Sequence, residues 1–190
     1  AAIADAQSYS PAKKAILQKQ IHGKLYRLLV INDKFVAAVH RRGAEVVGDG
    51  ISTVQELIEK MNSDPRRSTE NSSVLKKIDI SVVRSNLGES VLGEVLDAGK
   101  TLKVSSIESV SAGGEATDVT AHVNPMWQQV AIKIAHESGL FICGLDIICE
   151  DISKPPSRDM LPILEINSAP GFKMHYHPTG GGEPIEVAKV

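Results

Sequence analysis

Two short segments late in the chain decide the fold: GLDI at residues 144–147 and LEINSAPG at residues 164–171. Each belongs to an apolar run bounded by turn residues, so we predict buried strands over 140–149 and 161–167. Side chains alternate between the faces of a strand, which places Glu165 and Asn167 on the same face. Asp146 joins them if the two strands are neighbours. The pattern therefore predicts three oxygen donors at one place on a sheet.

These three donors suit a hard divalent cation. Carboxylate and amide oxygens are ligands that Mg²⁺ accepts, at about 2.1 Å and in octahedral geometry. Because Mg²⁺ commonly keeps phosphate oxygens in its shell, such a site implies a nucleotide. The alternative is structural, namely a strand that ends in polar residues before a Pro-Gly turn. The triplet alone leaves both interpretations open.

The composition is that of an ordinary globular protein. The chain has 190 residues, 42% of them hydrophobic, and a formal net charge of −2. Near-balanced charge provides no general field for nucleic acid, and we expect neither a nucleic-acid nor a membrane partner. Cys143 and Cys149 each lie three residues from Asp146, so their thiols should face the opposite side of the strand. We therefore expect core thiols and not zinc ligands. Without a signal-peptide pattern, we expect a cytoplasmic protein.

The remaining elements follow from local patterns. Ser52, with Gln55 three residues later, predicts the capping box of a helix whose apolar stripe includes Val54 and Leu57. Asn32, Asp33 and Lys34 separate two apolar runs and predict a hairpin turn. In full, we predict strands over 15–22, 25–31, 35–41 and 101–107, helices over 52–61, 78–87 and 124–138, and loops over 62–71 and 111–118.

Arg27 and Gly171 are the first candidates for chemistry outside the triplet. Arg27 interrupts an apolar strand, and a long cation is rarely buried without a partner, so a phosphate or an acidic substrate is the functional interpretation. Gly171, after Pro170, can offer a backbone amide to a developing oxyanion. A simple turn explains Gly171 equally well.

Several motifs in a fixed order connect these observations. They are YRLLV at 26–30, VAAVHR at 36–41, VGDG at 47–50, DPRR at 64–67, SAGG at 111–114, DVT at 118–120, GLD at 144–146, LEINSAPG at 164–171 and MH at 174–175. Together they resemble the ATP-grasp ligase module of cyanophycin synthetases and of bifunctional glutathione synthetases. The likeness covers almost the whole chain. One departure is Gly144, which stands where some ATP-grasp relatives have arginine.

The resemblance implies an α+β fold with a mostly antiparallel sheet flanked by helices. ATP-grasp folds hold ATP between two subdomains, and residues 15–190 correspond to the C-terminal one. Residues 1–14 are then a remnant of the upstream subdomain or a linker. We therefore expect a fragment of a longer ligase, whose other parts would be its partners, and association between copies is possible.

The resemblance also implies an ATP- and Mg²⁺-dependent carboxylate–amine ligase that forms an amide through an acylphosphate. Asp146, Glu165 and Asn167 match the metal ligands of the family, for two Mg²⁺ ions, with Mn²⁺ as a possible substitute. Arg41 matches an arginine that contacts phosphate or substrate, although beside Arg42 it is equally explained as surface charge. The residues expected to border the adenine are Gln18, Lys19, Ile21 and Leu164, for which strand packing is the alternative. An amino acid or peptide would be the substrate.

Two other functions remain open from the sequence. A non-catalytic nucleotide-binding or regulatory module would keep the metal strands without forming an amide. A structural domain without any ligand is the third possibility. Buried acids without partners are costly, and the triplet together with Arg27 therefore argues against the third.

Overall fold

The computed structural model describes residues 2–17, 19–70, 75–105, 110–157 and 161–189. Within these residues the strands are β1 (Lys24–Ile31), β2 (Lys34–Arg42), β3 (Glu45–Val47), β4 (Arg67–Ser68), β5 (Leu75–Lys76), β6 (Thr101–Lys103), β7 (Glu115–Asp118), β8 (Ile142–Cys149) and β9 (Ile163–Asn167). The α-helices are α1 (Ala2–Ser8), α2 (Val54–Asn62), α3 (Ile80–Leu87), α4 (Glu89–Leu92), α5 (Pro125–Glu137) and α6 (Lys173–Tyr176). Short 3₁₀ turns cover Val110–Ala112, Thr120–His122 and Val187–Lys189.

The main sheet has five strands in the order β7-β2-β1-β8-β9, and every neighbouring pair is antiparallel. The predicted hairpin is confirmed as β1 and β2. Asn32 and Asp33 connect them with φ values of 50° and 55°, the conformation that two-residue hairpin turns require. The α+β class and the antiparallel sheet predicted from the sequence are therefore correct.

One face of the main sheet packs against α5. Trp127, Ala131 and Ala135 of α5 join the buried side chains of β1 and β8 in a single apolar cluster. The helix begins as predicted, because the Asn124 side chain accepts a hydrogen bond from the Met126 amide at 3.0 Å. This cluster also contains Cys143, so the predicted core position of that thiol is confirmed.

A second apolar cluster forms between residues 44 and 104. It packs β3 and the residues around β6 against α2, α3 and α4, and Val54, Leu57 and Ile58 of α2 are buried in it. The predicted cap of α2 was wrong by one residue. Thr53 is the N-cap, and its hydroxyl accepts from the Glu56 amide while the Glu56 carboxylate accepts from the Thr53 amide.

Three other sequence predictions need correction. Residues 15–17 and 19–22 contain no strand, and no sheet of the described residues includes them. The predicted strand over 101–107 ends at Lys103, and residues 106–109 lie outside the described part of the chain. The glycine-rich segment at 111–118 is not all loop, because its second half forms β7 against β2.

The other face of the main sheet carries a smaller apolar cluster at one end. Leu29, Ile31 and Ala37 pack there against Val187 and neighbouring residues of the last segment. The polar side chains discussed below project from the same face, further along the strands. Among the described residues, no helix is long and apolar enough to cross a membrane.

Candidate active site on the main sheet

A row of directly opposed residues crosses all five strands of the main sheet. Glu165 on β9 pairs with Asp146 on β8, which pairs with Arg27 on β1; Arg27 pairs with Val39 on β2, and Val39 with Asp118 on β7. Residues opposite one another in an antiparallel sheet share a face. The register therefore brings two predicted metal ligands and the predicted arginine together.

Asp146 is the centre of this row. Its carboxylate accepts two hydrogen bonds from Arg27, from Nε to Oδ1 and from Nη2 to Oδ2, the latter at 2.9 Å. Arg41 Nη1 donates to the same Oδ2 at 2.9 Å. Asp146 and Arg27 are 4% and 6% exposed, so these charges interact with little screening by water. Both arginines singled out from the sequence thus meet at one carboxylate.

Burial and the neighbouring arginines have opposite effects on the pKa of Asp146. Burial acts most strongly and would raise it, but the hydrogen bonds and charge of Arg27, together with the charge of Arg41, outweigh burial. The pKa of Asp146 is therefore held below its usual range, and the carboxylate is ionised at neutral pH.

Asn167 is oriented by two hydrogen bonds from its side-chain nitrogen. Nδ2 donates to Glu165 Oε1 at 3.0 Å and to the carbonyl oxygen of Gly144 at 3.4 Å. The amide therefore turns its Oδ1 away from these two acceptors, where it can serve as a ligand. The Glu165 side chain is 59% exposed and approaches Arg27 Nη2 at 4.0 Å. Two carboxylates and an amide oxygen form a donor set suited to a hard cation.

Gly144 has a steric explanation that the sequence did not provide. A Cβ atom at this position would lie 2.6 Å from Cβ of Pro170 and 3.2 Å from Cδ of Arg27. Glycine therefore lets Pro170 and Arg27 pack directly against β8. An arginine here, as in some ATP-grasp relatives, would displace both neighbours.

His175 and Asp118 belong to the same surroundings; the motif at 118–120 contains Asp118, but no role in the site was predicted for it. His175 is 1% exposed, and neither ring nitrogen has a hydrogen-bond partner among the described residues. Burial, and then the charge of Arg27, lower the pKa of His175 to about 4, while Asp118 opposes them. The ring is therefore neutral at pH 7. The pairing of β7 with β2 places Asp118 in the row across the main sheet.

The residues predicted to border adenine are less completely defined. Gln18 lies outside the described residues, and Lys19 is exposed. Ile21 lines a cavity of about 380 Å³ at the end of β8, whose wall also includes Ile148, Cys149, Trp127 and Pro162. Leu164 is 52% exposed on β9 and does not line that cavity.

Gly171 lies in the exposed turn between β9 and α6, close in sequence to the Pro170 that packs on Gly144. No atom lies within 4 Å of the position that its Cβ would take, so packing does not require glycine there. A larger cavity, of about 610 Å³, is lined by the second cluster around Leu57 and Met61 and by no residue of the row across the main sheet.

Comparison with known proteins identifies the family. Residues 91–188 match the model of the RimK-like ATP-grasp domain, and this segment includes Asp118, Asp146, Glu165 and Asn167. The chain belongs to the RimK-like ATP-grasp family. The resemblance drawn from the motifs is therefore confirmed.

Individual relatives of this ATP-grasp chain agree with the family assignment. Cyanophycin synthetase from Synechocystis is 35% identical over 175 residues, which cover 90% of this chain and 20% of the relative. The glutathione biosynthesis bifunctional protein GshAB from Listeria welshimeri is 33% identical over 177 residues, covering 92% and 23%. The chain thus spans about a fifth of the length of these curated relatives.

A solved structure shares the fold. The bifunctional glutathione synthetase from Pasteurella multocida matches with a TM-score of 0.76 and 26% identity, over 90% of this chain and 24% of the other. The chain therefore shares the ATP-grasp fold of that structure.

Proposed function

We propose that this chain is the nucleotide- and metal-binding part of an ATP-dependent carboxylate–amine ligase. The observation that supports this most is the row across the main sheet, in which Glu165 and Asp146 lie beside Arg27, with Asn167 and Arg41 at its edge. An acidic pair and two guanidinium groups on one sheet face match what phosphoryl transfer to a carboxylate needs.

Asp146, Glu165 and Asn167 would hold Mg²⁺ through side-chain oxygens. When bound, the ions would neutralise charge on the triphosphate and on the transferring phosphoryl group. Glu165 has the more exposed of the two carboxylates, which would leave it accessible to a metal ion. Asp146 already accepts bonds from both arginines. The same carboxylate would therefore fix the arginines relative to the metal.

Arg27 and Arg41 would stabilise phosphate and substrate charge. Each guanidinium has N–H groups that do not bond Asp146. These groups could neutralise charge as the ATP triphosphate and the substrate carboxylate approach one another. Gly171, in the exposed turn after Pro170, would offer its amide to the oxyanion of the tetrahedral intermediate. Its exposure and open surroundings are compatible with substrate approach.

The cavity beside Ile21 is our proposed place for adenine. Its lining includes the apolar side chains of Ile21 and Ile148, and residues 19–21 would present backbone groups to the base. The contact of Gln18 with the base stays a prediction, because Gln18 lies outside the described residues. Leu164, next to Glu165 along β9, would complete the apolar floor beyond the cavity.

The reaction would proceed in two balanced steps. A substrate carboxylate oxygen attacks the γ-phosphorus of ATP, the bond to the β,γ-bridging oxygen breaks, and ADP leaves with an acylphosphate formed. An amine then attacks the acyl carbon, loses a proton to solvent and expels inorganic phosphate, which produces an amide. The acid and the amine would be amino acids or peptides, as the cyanophycin synthetase relatives suggest.

We further propose that residues 15–190 act as the C-terminal ATP-grasp subdomain of a longer ligase. The coverage supports this, since curated relatives extend far beyond the matched region. The rest of such a ligase would provide groups that close over the phosphates.

Hydroxylamine trapping tests the proposal. The chain, alone and joined to an upstream ATP-grasp subdomain, would be incubated with ATP, Mg²⁺, amino acids and hydroxylamine. A ligase produces hydroxamate and ADP in equal amounts, because hydroxylamine intercepts the acylphosphate. ADP without hydroxamate, or ATP binding without turnover in the joined form, would contradict the ligase and favour a nucleotide-binding module.

A further inference from the structure

The DPRR motif at residues 64–67 contains two arginines in opposite environments. Arg66 is exposed and its guanidinium pairs with Asp64, from Nη2 to Oδ2 at 2.7 Å. The Arg67 side chain is only 3% exposed. Because a guanidinium is costly to bury, the position of Arg67 must be supported by several acceptors.

Arg67 connects its own segment with two others, at residue 76 and at residues 113–115. Nη1 donates to the carbonyl oxygens of Lys76 at 2.8 Å and Gly113 at 2.9 Å, and Nη2 donates to Glu115 Oε1 at 3.5 Å. Burial lowers the pKa of Arg67, opposed by the charge of Glu115. Arg67 therefore connects the edge of the second cluster with the first residue of β7.

Gly113 is fixed from another direction as well. Its φ is +87°, and a Cβ atom there would lie 2.9 Å from Ile78, a buried residue of the second cluster. This buried glycine serves close packing. Ile78 and Arg67 thus hold the turn that enters β7.

The contact continues from β7 to β2. The other oxygen of Glu115, Oε2, accepts from Arg42 Nη2 at 3.4 Å, and Arg42 also approaches Glu45 at 3.8 Å. Glu115 and Arg42 are paired in the sheet, and the next pair is Ala116 with Arg41. Neighbouring residues on a strand face opposite sides. Arg42 is therefore held by carboxylates away from the face on which Arg41 contacts Asp146.

We propose that Arg67 is a positioning residue for Arg41. By orienting Glu115 and the start of β7, Arg67 fixes Arg42 and the local register of β2, and this register directs Arg41 to Asp146. The second cluster is thereby coupled to the candidate active site. The claim that Arg67 positions Arg41 depends only on these contacts. The expected effect of Arg67 on turnover rests on the proposed function.

Three variants of the chain test the placement: Arg67→Met, Arg67→Lys and, as matched control, Arg66→Met. Lysine keeps the charge but cannot span three acceptors as the planar fork does. Backbone amide exchange over residues 115–117 and the Nε–Hε NMR signals of Arg41 and Arg27 are the measurements.

We expect Arg67→Met to speed amide exchange over 115–117 by about tenfold or more, the sign of a lower local opening energy. The Arg41 signal should shift or broaden, while the Arg27 signal stays unchanged. Arg67→Lys should have a smaller effect in the same direction, and Arg66→Met none. Unchanged exchange and an unchanged Arg41 signal in folded Arg67→Met would overturn the proposal. Should Arg67→Met fail to fold, the same two measurements on Arg67→Lys decide.

Turnover provides the second arm. In the joined form used for hydroxylamine trapping, Arg67→Met should lower kcat for hydroxamate formation by about tenfold or more, while the Kd for Mg-ATP stays within about twofold. A purely structural role would weaken both together and would overturn the assignment. If the joined form without substitutions makes no hydroxamate, the proposed function fails. The amide-exchange and NMR measurements then still decide the role of Arg67.

Discussion

Replacing Asp146 by asparagine removes one charge from the centre of the row while keeping the side-chain shape. The buried guanidinium of Arg27 and the partly buried one of Arg41 then lose their shared counterion. The exposed Glu165, at 4.0 Å from Arg27, is a more strongly screened partner. The variant therefore tests whether the charges on the main sheet are as closely coupled as the geometry indicates.

The expected magnitude follows from three hydrogen bonds. Asp146 accepts from Arg27 twice and from Arg41 once. In the variant, an amide oxygen at the Oδ1 position keeps only the bond from Arg27 Nε, and the NH₂ group at the Oδ2 position faces the Arg27 Nη2 and Arg41 Nη1 donors. Removing one partner of a buried ion pair typically costs about 3–5 kcal/mol. We expect the free energy of unfolding to fall by about that amount at pH 7.

Urea unfolding in the presence of a chelator measures the effect. Asp64→Asn is the matched control, because Asp64 pairs with the exposed Arg66 and asparagine keeps its bond to the Arg66 backbone. The folded-state pKa of Asp146 lies below its usual value of 3.8, so its contribution is fully present above that value. The difference between wild type and Asp146→Asn should therefore shrink as the pH falls below about 4.

A loss below about 1 kcal/mol at pH 7 would refute the reasoning, because exposed ion pairs have contributions of that size. A loss that does not depend on pH would refute the electrostatic cause even if its magnitude were correct. In either case Asp146 and the arginines would have to be regarded as independently solvated.

Two further variants test the surroundings of this row. Gly144→Ala should lower the free energy of unfolding by about 1–3 kcal/mol, since its Cβ would meet Pro170, whereas Gly171→Ala should change it by less than about 0.5 kcal/mol in the same urea titration. The pKa of His175 is about 4 in the folded protein and about 6.5 in the unfolded chain, so wild-type stability should fall as the pH drops from 6.5 to 4. His175→Gln should reduce this loss of stability. An unchanged pH profile in that variant, or the same change in the exposed His177→Gln, would contradict the assignment.

The proximity of Asp146, Glu165 and Asn167 was predictable from the sequence because it depends on the simplest regularity of a strand. Glu165 and Asn167 are two residues apart, so a period of two places them on one face without further information. Their approach to Asp146 required only that β8 and β9 be neighbours. Arg27 was predictable for a different reason, since a cation in an apolar run demands an anion. That anion is Asp146, which the sequence had assigned only to the metal.

Elements that depend on distant pairing were not predictable. Residues 15–22 have a strand-like composition, but a strand needs hydrogen-bonded pairing with another strand, and the described residues of this segment pair with none. The opposite error occurred at β7, whose four residues follow glycines and are strands only because β2 pairs with them. Local composition contains no information about either event.

The cap of α2 shows a third kind of ambiguity. Ser52 with Gln55, and Thr53 with Glu56, both satisfy the capping-box pattern, and they are offset by one residue. Asp49 decides between them, because its carboxylate accepts from the Ser52 hydroxyl at 2.8 Å. The serine is thereby occupied by the preceding turn, and threonine caps the helix.

Titration of the chain with ATP by calorimetry, with and without Mg²⁺, tests the central claim most directly. Glu165→Gln is the test variant, and Glu183→Gln, at an exposed position after α6, is the control. We predict binding that requires Mg²⁺ and is weakened by about tenfold or more in Glu165→Gln, with the control unaffected. Absence of binding, or binding indifferent to Mg²⁺ and to Glu165, would contradict a nucleotide–metal site on this sheet.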